Sequence, residues 1–161
     1  MNIHRIAPII LLLEGLASSG LQMIVIRQTV PFIGSSIITT SIIISCFLAA
    51  LALGYYHGGL RAEKNFVKTL ITNLGISICL FGFGLSYMFI NWFFTSAHSV
   101  TDGLPLFSSP LIHLSLFCLI VMAPLAYLLS QTVPLLIQAS KSEKSQAAGN
   151  ATALSTIGNV A

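Results

Sequence analysis

Charge is what this sequence most lacks. Only 7% of its 161 residues are Asp, Glu, Lys or Arg, while 55% are hydrophobic, whereas a soluble domain carries roughly 25% charged residues. So little charge cannot wet a globular surface, and the composition points to a chain embedded in a bilayer. The net charge of +3 is spread over short connections, which excludes the basic face that nucleic acid requires. Cysteine is scarce as well. Cys46, Cys79 and Cys118 lie at wide spacings in apolar runs, which excludes a disulfide framework or cysteine metal cluster and leaves small, buried, hydrophobe-like side chains. His4, His57, His98 and His113 show no ligand spacing. The chain also has no glycine-rich dinucleotide or phosphate-binding fingerprint, nucleophile elbow, zinc pattern or haem signature. No cofactor is expected, and no catalytic motif marks this segment as an enzyme.

Long apolar runs are abundant. They predict an all-α membrane protein of four transmembrane helices plus the start of a fifth, in a single domain over residues 1–161. The first span covers about 6–26, closed by Arg27 and Pro31, with Gly34-Ser35-Ser36 as the turn. Arg5, an apolar run and Ala17-Ser18-Ser19 imitate a cleaved leader, but the apolar pattern continues through Met23-Ile24-Val25-Ile26, so the segment reads as a retained helix. The second span, 37–56, is closed by His57-Gly58-Gly59 and followed by the solvated Arg61-Ala62-Glu63-Lys64. The third, 66–94, reads as one long helix whose Tyr87 and Trp92 form an interfacial belt. A loop over 95–109 carries no Lys or Arg. The fourth span, 110–138, contains Pro124 and Pro134 and is expected to kink or break. After a polar loop over 139–146, residues 147–161 begin a helix of about 22 Å, too short and too polar at first to cross alone. The chain thus reads as a fragment ending as a fifth span begins, near 150–161.

Basic residues set the orientation. With the N-terminus in the cytoplasm, Arg5, Arg61, Lys64, Lys68, Lys141 and Lys144 all fall inside, and only Arg27 falls outside. That bias follows the positive-inside rule.

Glu14 stands out within the first span. It lies about 12 Å along the helix, near the middle of a hydrocarbon layer of roughly 30 Å. A charge there costs about 2.5–3.5 kcal/mol on insertion scales. Glu14, Ser18 and Gln22 follow at helical spacing and form one polar stripe, which should face other protein rather than lipid. The stripe can serve as a site for a proton, a metal cation or an organic amine with Glu14 as the anion. It can equally tie the helix to a neighbour through a protonated or hydrogen-bonded carboxyl. Arg27, roughly 20 Å further along, cannot pair with Glu14 in a straight helix. It either snorkels to the boundary or caps the following turn. Glu14, Ser18, Gln22 and Arg27 are the candidate ligand-binding residues, and no metal set accompanies them.

The run from Ser35 to Ser45 is rich in hydroxyls, which are expected to bond back to carbonyls one turn earlier rather than line a water path. Gly15 with Ser19, Gly54 with Gly58, and Gly75 with Cys79 (continued by Gly82 and Ser86) are small-xxx-small pairs that favour close helix contact. The Asn150-Ala151-Thr152 sequon falls on the cytoplasmic side and is discounted.

Several stretches resemble membrane-bound spermidine-synthase-like proteins. They are Glu14-Gly15, Ser18-Ser19-Gly20-Leu21-Gln22, Arg27, Gly34-Ser35-Ser36, Phe47-Leu48, Leu51-Ala52-Leu53-Gly54, Gly58-Gly59, Thr132-Val133-Pro134-Leu135-Leu136 and Ser155-Thr156-Ile157-Gly158-Asn159. In that family a membrane region, somewhat like half of a major facilitator bundle, precedes a soluble aminopropyltransferase domain. The resemblance implies a bacterial inner-membrane segment that anchors such a domain and binds or passes a polyamine or related amine. The family's catalytic acids belong to the soluble domain, which has no counterpart here. Two other readings stand beside it. One is a small accessory subunit of a larger membrane complex, and the other is half of a transporter working as a dimer. The expected partners are the lipid bilayer, other proteins or a second copy meeting small-residue helix faces, and a polyamine.

Overall fold

The computed structural model of the chain describes residues 3–60, 66–101, 109–139 and 144–160. All regular structure among them is helical: α1 (Ile3–Ile33), α2 (Ile37–Leu60), α3 (Phe66–Gly84), α4 (Tyr87–Thr101), α5 (Pro110–Phe117), a π turn (Cys118–Met122), α6 (Ala123–Ser130), α7 (Thr132–Ala139) and α8 (Lys144–Val160). Three helical stretches, Ala7–Ile33, Ile37–Leu60 and Pro110–Ile137, are long and apolar enough to cross a membrane. A fourth is added if α3 and α4, bent by 65°, make one broken span. Large apolar side chains such as Ile37, Ile78, Met23 and Met88 stand on the outside. In water such a surface would aggregate, whereas in a bilayer it faces acyl chains. The protein is an all-helical membrane protein.

Several boundaries differ from those expected. α1 runs past Arg27 and Pro31 to Ile33, because lipid offers its backbone no competing partners and one proline removes only one hydrogen bond. It ends where Gly34 takes φ +85° and its N–H donates to the Val30 carbonyl at 2.8 Å, a left-handed cap that suits glycine. Ser36 then caps α2, accepting the Thr39 N–H on its Oγ at 3.0 Å. His57, Gly58 and Gly59 lie inside α2 rather than closing it.

The third span is not continuous. Leu85 and Ser86 interrupt it, with the Ser86 N–H donating to the Phe83 carbonyl at 3.2 Å in a tightened turn. Gly84 packs its backbone against Val121, and α4 then departs at 65°. Residues 95–101, expected in a loop, continue α4. The fourth span continues as one helical stretch, Pro110–Ile137, but its hydrogen bonding is disturbed near its prolines. Pro124 cannot donate to the turn before it, and the five residues Cys118–Met122 widen into the π turn, where the Ala123 N–H reaches the Cys118 carbonyl. A second interruption at Gln131 precedes Pro134. α8 begins at Lys144, so the polar loop before it is shorter than expected. The expected connections over 61–65, 102–108 and 140–143 lie outside the described residues, as do the side chains of Arg5, Arg61, Lys64, Lys141 and Lys144.

α6 holds the centre. α2 packs along it most extensively and α3 also leans on it, while α1 pairs chiefly with α8. Leu125 and Ala126 of α6 are fully buried among Leu21, Ile43, Phe117 and Met122. Phenylalanines close one end. Phe32 of α1 stacks on Phe94 of α4 with centroids 4.9 Å apart, and Phe117 meets Phe94 at 5.7 Å. His113, buried at the start of α5, shares a hydrogen bond of 3.0 Å with Thr101 at the end of α4, which fixes how the bent helix returns to the bundle.

The Glu14 site

α1 turns Glu14 inward, leaving it only 4% exposed. Ser18, one turn along the same face, donates from Oγ to Glu14 Oε1 at 3.2 Å. The second partner comes from the far end of the chain, where Ser155 of α8 donates from Oγ to Glu14 Oε2 at 2.8 Å. Each carboxyl oxygen therefore accepts one hydroxyl, and the acid links two helices 141 residues apart in sequence.

Glycine makes this contact possible. A Cβ on Gly15 would fall on the Ser155 carbonyl, and a Cβ on Gly158 would fall on the Leu12 carbonyl. Without those side chains the α1 and α8 backbones approach closely enough for a short serine to reach the carboxyl. Leu11, Ala151, Val133 and Leu136 pack beside the contact as a second apolar cluster.

A cleft opens on the other side of Glu14. α1 and α3 both pack on α6 but hardly on each other, leaving a space of about 660 Å³ between them. Its walls include Glu14, Ala17 and Gly20 of α1 and Ser77 and Gly82 of α3, with Leu125 and Leu129 of α6 behind. A Cβ on Gly20 or Gly82 would meet nothing within 4 Å. Ser77 is 4% exposed, and its hydroxyl is buried with no hydrogen-bond partner. That is unusual among the helical hydroxyls here. Ser115 bonds back to the carbonyl one turn earlier at 2.8 Å, and within the run from Ser35 to Ser45, Thr40 and Ser41 do so at 3.2 and 2.7 Å, as expected of that run.

The remaining candidates lie apart from this centre. Gln22 is half-buried two turns beyond Glu14, and Arg27 is exposed. The structure thus brings Glu14 and Ser18 together and leaves Arg27 on the outer surface. The small-residue pairs also divide. Gly54 and Gly58 are buried against Ser130, Gln131 and Pro134, whereas Gly75 has open space around it.

Sequence reasoning missed Ser155 as the partner of Glu14, and it missed a second polar contact. Asn73 of α3 donates from Nδ2 to Gln131 Oε1 at 2.9 Å, both residues being buried. This contact holds α3 against the break between α6 and α7. The available signal was three uncharged polar residues, Asn73, Ser77 and Gln131, inside apolar runs, where polarity always needs an explanation. Among the described residues, no group of three or more His, Cys, Asp or Glu is placed to hold a metal ion. The comparisons add no relative: no protein-family model, curated protein or solved structure matches the chain.

Proposed function

We propose that this chain is the membrane region of a spermidine-synthase-like protein, which anchors a synthase domain and binds or passes a polyamine or related amine at Glu14. The observation that carries the reading is a single buried acid at mid-span on the wall of an open cleft. An amine is cationic at neutral pH, and a carboxylate removed from water is the partner it needs. The sequence resemblance points to amines as the ligand class. The resemblance implies the bacterial inner membrane, and the distribution of Lys and Arg favours an N-terminus in the cytoplasm. In this reading α3 and α4 form one bent span, α8 begins a fifth, and the bundle is akin to part of a major-facilitator half.

The test is Glu14→Gln in liposomes. Polyamine binding or flux falls at least tenfold if a charge-assisted contact is lost, a difference of about 1.4 kcal/mol. Unchanged affinity and transport would remove Glu14 from any substrate role.

One observation favours a second reading. Both Glu14 oxygens already accept hydroxyls from the protein, which suits an acid whose task is to fasten α8 to α1 in a structural subunit. Purification from native membranes separates the two, because an accessory subunit co-elutes stoichiometrically with its complex.

A further inference from the structure

Resting on the reading of Glu14 as an amine site, we infer that the cleft between α1 and α3 takes an amine with one positive charge and a hydrocarbon tail, admitted sideways from the bilayer. Three observations lead there. First, among the described residues Glu14 is the one acid on the cleft wall, and the rest of the wall is almost wholly apolar. A polyamine would bring further ammonium groups into this space without anions to meet them, and each unpaired charge would cost several kcal/mol. A single ammonium on a single carboxylate carries no net charge into the hydrocarbon.

Second, the hydrogen-bond inventory suits one ammonium. A carboxylate offers about four lone-pair sites, and Ser18 and Ser155 each supply one donor to them. About two sites remain on Glu14, and Ser77, whose hydroxyl is buried without a hydrogen-bond partner, lies on the facing wall. The remaining carboxylate sites can accept from a primary ammonium, which carries three donors. Glu14 and Ser77 also lie at similar depth, each roughly 16 Å from the start of its helix, and α2 crosses once between α1 and α3 so that both start on one side.

Third, the opening is lateral. α1 and α3 hardly touch, and Gly20 and Gly82 leave open space where side chains would narrow the gap. A ligand dissolved in lipid enters without crossing the headgroup layer, and its tail lies along Ile24, Ile78 and Phe81.

The test uses the full chain, purified in detergent, with radiolabelled octylamine in a proximity-binding assay and octanol and spermidine as competitors. Octylamine should bind saturably, octanol should not displace it, and spermidine should compete at least tenfold more weakly. Gly20→Leu, which fills the cleft without touching the acid, should reduce octylamine binding at least tenfold while helix content is retained. Glu14→Gln, whose amide keeps a partner for both serines, should do the same. Displacement by octanol as effective as by octylamine would show a lipid-filled gap and overturn the proposal, as would full binding by Gly20→Leu. Spermidine outcompeting octylamine would overturn the single-charge ligand but keep the polyamine reading, and no amine binding at all would sink both.

Discussion

The two sides of α1 use glycine in opposite ways. Toward α8, Gly15 and Gly158 bring backbones into contact and let Ser155 reach Glu14. Toward α3, Gly20 and Gly82 face open space, and the helices stay apart. The same residue type closes one seam and leaves the other open, and Glu14 sits between them. In lipid this difference is set by shape and polar contact, because acyl chains solvate an apolar helix face as well as another helix does. The α1–α8 seam has both close fit and a hydrogen bond across it. Among the described residues the α1–α3 side has neither, and α3 is held instead to Gln131 through Asn73.

The largest effect is expected from breaking the closed seam. Gly15→Leu forces a side chain into the α8 backbone and should destabilise the fold by about 3 kcal/mol, near the upper end of overpacking costs. Unfolding of the purified chain in mixed micelles measures it. Next, Asn73→Ala removes the contact that holds α3 and should cost about 1 kcal/mol, typical of a hydrogen bond between membrane helices. It should also raise the mobility of a spin label at the exposed Ile78 of α3. Smallest of all, Gly82→Leu should leave stability unchanged or raise it by up to about 0.8 kcal/mol, since it replaces a poor helix former where nothing stands in the way. A loss like that of Gly15→Leu would erase the contrast between the two sides.

Parts of this arrangement were legible in the sequence for local reasons. A charge in mid-span has to turn toward protein, and Glu14 does. Pro124 has no N–H to give, and the helix widens before it. Gly34-Ser35-Ser36 combines a left-handed cap with a capping hydroxyl, and the turn forms there. What stayed hidden depends on distant partners. Ser155 looks like any helical serine until Gly15 and Gly158 bring α8 within reach. The break at Leu85 and Ser86 lies beside the close contact of Gly84 with Val121, which no periodicity displays. Gly58 reads as a helix terminator in water, yet it lies within α2, where Pro134 and Gln131 occupy the space a side chain would need.

At the centre of this account is a carboxyl in the membrane interior that joins the first helix to the last. A double-mutant cycle of Glu14→Ala and Ser155→Ala, read by reversible unfolding in mixed micelles, isolates that link. The account predicts a coupling of about 1 kcal/mol between the two positions. Strictly additive losses, with no coupling, would contradict it.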